Sequence, residues 1–585
     1  MQSTLSRRSF LQSVGMVSAG VAASSFLAAC APAGAPAAAP AVPGTEAESL
    51  VNALGVQLPA DALALDQQVI RIGQSEVGGA YGHLMESLYN RAFGHAAGHE
   101  TLTTLNTDLE VVGIGAESWE ISEDGLYWDF KLREGMTFTN GDPVRAQDWA
   151  YTLRYSLSNN YDFAWFYFDI RNAAAVASGE LPAEELGIEA IDDYTLRIHT
   201  DAPVPYLPSL GVWFTVAPEN AWEDLGENWA TDPARFVGSG PFRLTKFERD
   251  IEHLWELYPE YGGVRRPYIT QISETLLPTG LPAYMAGDVQ TYGISGQTPA
   301  AEIALIENNP VLNSEMNPGI ATNTDYLGFN TTGAFPPLDD ARVRLALCKS
   351  IDKAELVQQI FQGFSNPAWG ILPNGFVNYR PEFADLDPNV YDPEAARALL
   401  AEAGYADGEG FPVYEMWVRQ PTDRQLAFAQ ALQARWQENL GIQVEIRPAD
   451  FQSFTSNLKE GAPMYYVGYA LDYFDPATFL NVFRSTGRHP HVDTEWDEFY
   501  NAANSTLDPD ERFELIAEAE QRLVESTAYF FLHSPFSVSL WPCNLQGEAL
   551  EPNQDGFRFY GGGGPGCPHA YEGMYWTSSD CRADL

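Results

Sequence analysis

Between Trp119 and Leu132 apolar and polar residues alternate on both sides of a polar turn. Trp119-Glu120-Ile121 leads into Ser122-Glu123-Asp124-Gly125, and Leu126-Tyr127-Trp128-Asp129-Phe130-Lys131-Leu132 follows. A period of two lays one face of a strand on a core, and Asp-Gly supplies the positive φ of a tight turn. Residues 119–139 are therefore predicted to form a β-hairpin. The same pattern predicts a strand pair at Gly187–Ile191 and Tyr194–His199. Single strands are predicted at Gln68–Gly73, after the Gly238-Ser239-Gly240-Pro241 turn, at 323–330, at Ile442–Ile446 and at Tyr529–Leu532. Elsewhere the period lengthens. Val343, Leu347, Ile351, Leu356 and Ile360 recur about every four positions and predict one amphipathic helix over Asp340–Phe361. A helix is expected from Arg145, after Pro143, and a helix with a loop over residues 82–95. Asp392 with Pro393 is an N-cap signature for 392–403. Residues 423–439 read as a helix stopped by Gly441, and Pro509–Glu525 as the last helix. Helices and strands alternate without internal repeats, which predicts an α/β protein.

The start of the chain reads differently. Arg7-Arg8 precede Phe10-Leu11, a short apolar run extends from Val14 to Ala29, and Leu27-Ala28-Ala29-Cys30 closes it. This is the layout of a secretion signal over residues 1–29. The run is too short and too rich in Ser, Gly and Ala for a membrane span. The paired arginines resemble a twin-arginine export signal. Leu27–Cys30 resembles a bacterial lipobox, which implies lipidation at Cys30. Ala31–Gly44 is Ala, Pro and Gly almost throughout, a semi-extended tether, and the tether segment as a whole is taken as residues 30–65.

The 585 residues suffice for about three or four compact units. With 79 acidic and 33 basic residues the formal charge is −46, which argues against nucleic acid and against a polybasic grip on lipid. Only five of the basic residues are lysines: Lys131, Lys246, Lys349, Lys353 and Lys459. Cys348, in an apolar helical pattern, is expected to be a buried thiol. Cys543, Cys567 and Cys581 allow three pairings outside the cytoplasm, of which Cys567–Cys581 is the expected one. A metal site is not expected, since no paired Cys-x-x-Cys or clustered histidines accompany them.

Four segments, in order, resemble the extracytoplasmic solute-binding proteins of ABC importers, the family 5 peptide/nickel-binding group. They are Ser118 through Phe138, continuing to Asn140-Gly141-Asp142-Pro143 and Ala146–Trp149; Val237–Phe242 with Tyr258-Pro259-Glu260-Tyr261; Phe329-Asn330-Thr331 with Pro337–Asp340, Arg342–Leu347 and Ser350–Lys353; and Gly468–Pro476. Together they cover roughly residues 68–540. The resemblance implies a two-lobed, type II periplasmic-binding-protein-like α/β fold with an extra subdomain, closing on its ligand. Lobe I would comprise 66–101, 236–322 and 536–585, with an inserted subdomain at 102–235, and lobe II 323–535. It also implies a peptide or similar small solute, and as partners a membrane permease with its ATPase. The protein is expected to be a monomeric lipoprotein outside the cytoplasm, with no cofactor and no chemistry of its own.

The resemblance implies ligand-binding roles for particular residues. Gly468, Tyr469 and Ala470 would lie extended against the ligand backbone, and Asp472 would neutralise a ligand amine. The alternative for Asp472 is a structural cap in its turn, and Asp475 is expected to cap the helix after Pro476. Some relatives place an arginine where Tyr466 stands. Arg419 could substitute, although a solvated arginine is the expectation. Trp369 falls in a cleft-facing loop, and in the glycine-rich loop Gln74–Tyr81 either Tyr81 or Glu76 would touch solute. The aromatic run Tyr161–Phe168 is expected in a core rather than as a sugar platform. His489 and His491 are expected in a solvated loop. No Gly-x-Ser-x-Gly or His-Glu-x-x-His motif occurs, and Gly561–Gly566 lacks the Lys-Ser/Thr and helix of a phosphate loop. The alternatives are an oligosaccharide receptor of the same family and a secreted acidic hydrolase.

Overall fold

The structure, a computed structural model, describes residues 50–73, 83, 85–87, 97–159, 161, 163–249, 251–275, 280–294, 298–552, 573–583 and 585. The signal segment, Cys30, most of the tether, the Gln74–Tyr81 loop with Glu76, most of 82–95, Gly561–Gly566 and Cys567 lie outside these residues.

Three main sheets organise the described chain. Val69–Gly73 pairs in parallel with Gln271–Thr275, and Glu252–Leu257 and Phe242–Glu248 complete an antiparallel run beside it. The predicted hairpin forms from Ala116–Ile121 and Tyr127–Leu132, and joins Thr195–His199 and Ile188–Asp192 in a second sheet of four strands. Its turn closes as expected: Gly125 sits at φ 73° and donates its N–H to Ser122 O. The third sheet has eight strands, with Tyr529–Leu540, Asn323–Phe329, Met464–Ala470, Tyr414–Arg419 and Val444–Ala449 in that order across it. Tyr529–Leu540 is twelve residues long. One end pairs with Asn323–Phe329, and the other with Tyr292–Ile294 and Met316–Ala321.

Helices pack on both faces of the large sheet, so its strands are buried twice over and read as apolar runs rather than clean alternations. Leu327, Phe329, Val418 and Tyr466 face a core closed by Leu347, Phe428, Leu432 and Trp436. Tyr326, Tyr465, Val467 and Phe531 face the other, closed by Phe479, Trp496 and Leu523. Asp392 caps Pro393–Glu402 through Ala395 N–H at 2.9 Å, and Gly441, at φ 72°, ends Asp423–Leu440.

The single helix expected over Asp340–Phe361 is two helices, Ala341–Lys349 and Lys353–Phe361. Asp352 starts the second, its Oδ1 accepting the Glu355 N–H at 3.0 Å. The apolar spacing runs straight through this break, because both helices bury the same stripe. The disulfide expectation is also corrected: Cys543 bonds Cys581, with Cα atoms 6.2 Å apart. Strand Leu545–Gln546 pairs with Tyr575–Trp576 next to it and brings the two cysteines together. Cys348 is buried and free, and burial pushes its thiol up to about 12. Tyr161, Phe166 and Tyr167 are in a core, as expected, while Trp165 and Phe168 of the same run are exposed. Among the described residues no helix is long and apolar enough to cross a membrane.

Candidate functional site

Strand Met464–Ala470 is the centre of the candidate site. Along one edge it pairs over its whole length with Asn323–Phe329. Along the other it pairs with Tyr414–Arg419 only at Met464, Tyr465 and Tyr466. Leu471 N–H donates to Thr322 O at 2.9 Å, so odd-numbered backbone groups face Asn323–Phe329 and even-numbered ones face the second edge. Gly468 and Ala470 therefore point their backbone groups to the side where the neighbouring strand has ended. Among the described residues the Arg419 guanidinium reaches there, with Nη2 donating to Gly468 O at 3.1 Å. An extended chain can add at such an edge by main-chain hydrogen bonds. Glycine is required at 468 by crowding: a Cβ there would lie 2.1 Å from Asp325 Oδ1 and 3.0 Å from the Asn323 amide.

The strand runs into the turn that carries Asp472. Its carboxylate accepts a hydrogen bond from Tyr469 OH, its N–H donates to Thr478 Oγ1 at 3.1 Å, and its carbonyl accepts from Trp213 Nε1 at 2.6 Å. Burial pushes the carboxyl up to about 6, against the opposing pull of Tyr469 OH and Arg488. Among the described residues it has no ion-pair partner. Tyr473 stacks on Tyr206 with centroids 5.2 Å apart and planes at 8°. Asp475 does what was expected of it and more: Oδ1 accepts the Ala477 N–H at 2.8 Å, and both oxygens receive Arg512, at 2.6 and 2.9 Å.

Below Gly468 lies a polar cavity of about 180 Å³, lined by Asn323, Asp325, Arg419, Gln420, Gln425 and Tyr466 among others. Asp325 is buried, with Oδ1 accepting from Asn323 and Oδ2 from Gln425, each at 2.7 Å. His533 Nε2 is 2.6 Å from Tyr466 OH, and burial lowers its basicity. Arg419 corrects the expectation of a solvated arginine: it is half-buried and bonded to the site strand. His489 and His491 are likewise not solvated. His489 is buried, stacked on Tyr465 and 2.8 Å from Tyr326 OH, and His491 bonds Thr331 at 2.6 Å. Their Pro-flanked sequence gave no sign of this, because the burying surface comes from distant strands. Arg488 was missed for the same reason.

Gly468, Tyr469, Ala470 and Asp472 are thus brought together. Trp369 is placed elsewhere in its polar contacts: its ring lies under Lys353 Nζ at 4.7 Å, and its carbonyl accepts from Asn389 at 2.8 Å. Tyr81 lies outside the described residues. A larger hollow of about 410 Å³ beside Cys543 is lined by Tyr268, Trp541, Tyr575, Glu548 and Glu551, with no basic residue among the described lining residues.

An open strand edge, with a carboxylate that has no ion-pair partner among the described residues at one end and the Arg419 guanidinium at the other, defines a protein that holds a small solute. The chain belongs to the bacterial extracellular solute-binding proteins, family 5, whose middle-region family model matches residues 110–490. It is similar to the oligopeptide-binding protein OppA of Bacillus subtilis strain 168, at 28% identity over 441 residues, covering 72% of this chain and 79% of the relative. Periplasmic OppA of Salmonella typhimurium strain LT2 is also 28% identical, over 442 residues, with the same coverage of 72% and 79%. The unliganded open form of the murein tripeptide-binding protein MppA shares the fold, with a TM-score of 0.71 at 21% identity, covering 89% of this chain and 99% of that one.

Proposed function

We propose that this chain is the solute receptor of an ABC importer, tethered to the membrane through Cys30, and that its solute is a peptide bound as an added strand along Gly468–Ala470. The observation that carries this reading is the edge beyond Tyr466, where Gly468 and Ala470 turn their backbone groups to a side with no neighbouring strand among the described residues. Asp472, at the end of that edge, is a half-buried carboxylate with no ion pair among the described residues, and a ligand ammonium supplies one. The named function of the two OppA relatives, oligopeptide binding, supports the same solute.

Lobe closure completes the reading. Tyr529–Leu540 is one strand shared by two groups of partners, and flexing such shared segments is how binding proteins of this kind close. Trp213 and Tyr206, from the 102–235 region, meet Asp472 and Tyr473 directly after the ligand edge. Closure there excludes water and strengthens each polar contact inside. In this reading Tyr81 and Trp369 are outlying contacts, and the solute passes unchanged to a permease and its ATPase.

The test is thermal unfolding of the purified protein with tripeptides, tetrapeptides and oligosaccharides. A ligand present at a hundred times its Kd stabilises by about 2.7 kcal/mol, so a binding peptide is expected to raise the Tm by a few degrees with no product formed. A rise with oligosaccharides alone, or turnover of any of these compounds, would reject the proposal.

A further inference from the structure

Two aspartates on one turn meet arginines in opposite ways. Asp475 is closed off: Arg512 donates to both its oxygens, at 2.6 and 2.9 Å. Asp472 forms no ion pair among the described residues, although a guanidinium stands near it. Burial pushes the Asp472 carboxyl up, and Tyr469 OH and then Arg488 pull it back. Among the described residues these two are the titratable groups that face it. Trp213 and Thr478 bond only its main chain. What keeps Arg488 from closing on the carboxylate is aromatic. Its Nη2 donates to Tyr326 OH at 3.0 Å, and that oxygen also lies 2.8 Å from His489 Nε2. The guanidinium rests over the Tyr469 ring, 5.2 Å from its centroid, a cation–π contact. Tyr469 OH in turn donates to the Asp472 carboxylate. Burial disfavours the Arg488 charge, but the phenols of Tyr326, Tyr469 and Tyr465 outweigh it, and the guanidinium keeps its proton. Arg419 is the neighbouring cation, and burial together with Arg488 keeps His489 neutral.

We infer that Arg488 is a positioning residue for amine capture: held off Asp472 by Tyr326 and the Tyr469 ring, it supports the negative charge and leaves the carboxylate unoccupied for a ligand ammonium. This rests on the amine-capture reading above and deepens it. Coulomb forces in a site shielded from water reach beyond hydrogen-bond distance, so the arrangement has two consequences of opposite sign. Attraction to Arg488 keeps Asp472 ionised to a lower pH than its buried position alone allows, and capture persists into mild acid. Repulsion between Arg488 and the incoming ammonium lowers the affinity once Asp472 is fully ionised. Arg488 therefore widens the pH range of capture at the expense of peak affinity. A direct Arg488–Asp472 pair, like that of Arg512 with Asp475, would instead block the ammonium outright.

The experiment is calorimetric titration of the full chain, Arg488→Gln and Arg488→Lys with trialanine, from about pH 5 to about pH 8.5, a range that spans the Asp472 titration. In Arg488→Gln the pH at which affinity falls is expected to rise, and binding above that pH to tighten about two- to tenfold. Arg488→Lys keeps a cation over the ring and is expected to restore the native midpoint. A native midpoint in Arg488→Gln, or binding weakened by one factor at every pH, marks a purely structural role and overturns the proposal. Ligand-free melting separates this outcome from the peptide reading. The difference in Tm between each chain and its Asp472→Asn counterpart follows the Asp472 proton alone. That contribution is full at low pH and lost as the pH rises, and in Arg488→Gln the loss is expected at a higher pH than in the native chain. If trialanine binds to none of the chains, the peptide reading fails, and this melting comparison decides on Arg488: the shift supports its hold on Asp472, and no shift overturns it. Should Arg488→Gln not fold, Tyr326→Phe frees the guanidinium without removing its charge. It is expected to let Arg488 pair with Asp472 and to weaken trialanine binding about tenfold; unchanged binding in that variant overturns the proposal.

Discussion

Replacing Asp472 with asparagine isolates the charge on which capture of an amine depends. Burial pushes this carboxyl up to about 6, from an ordinary 3.8. An ammonium binds the ionised form, so affinity for an amine-terminated peptide falls as the pH drops through that value. Between about pH 7.5 and about pH 5 the ionised fraction falls roughly tenfold, equivalent to about 1.4 kcal/mol of binding free energy. Asp472→Asn keeps an acceptor for Tyr469 OH but removes the charge. It is expected to flatten the pH profile and to cost about 1.5–3 kcal/mol at neutral pH. Ligand-free stability runs the opposite way. Because the folded state holds this proton more tightly than the unfolded chain, the contribution is full below about pH 3.8 and is lost as the pH rises through about 6. The same substitution abolishes that slope too. Calorimetry over this pH range, with a tripeptide and its N-acetyl derivative, measures the binding effects, and melting without ligand measures the stability effect. Equal affinity for the acetylated peptide, or the same pH slope in Asp472→Asn, would refute the reasoning.

Three further outcomes are expected. Arg512→Met leaves Asp475 buried without its bidentate partner, and is expected to cost about 3–5 kcal/mol, read as a fall in denaturation midpoint. Gly468→Ala forces a methyl to within 2.1 Å of Asp325 Oδ1; it is expected to destabilise by about 1–3 kcal/mol and to weaken peptide binding, which titration and melting record together. Cys543→Ser opens a bridge between residues 38 apart in sequence; loop entropy puts the loss at about 4 kcal/mol, measured by calorimetric unfolding under oxidising conditions.

What the sequence made legible was local. The Asp124-Gly125 turn, the Asp392 cap before Pro393 and the Gly441 stop are each decided by a few adjacent side chains, and each forms as predicted. The break at Asp352 was hidden, because an N-cap inside an unbroken apolar stripe looks like one more polar helix position. The Cys543–Cys581 pairing and the burial of His489 depend on strands far apart in sequence, which spacing cannot bring together. At the site, Gly468 to Asp472 were reached through a family resemblance. Arg419 was named as a possible substitute anchor, but its bond to Gly468 O emerged only once the sheet showed which strand stops short, since an arginine at a strand end is by itself indistinguishable from a solvated one; Arg488, outside any strand, carried no local sign of its contact with the Tyr469 ring.

The most direct test of the account is mass spectrometry of the solute carried through native purification of the full chain. The account predicts one intact peptide per chain, with a free amine and a carboxylate, recovered unchanged after release by denaturation. A cleaved product, or a compound lacking an amine, would contradict it.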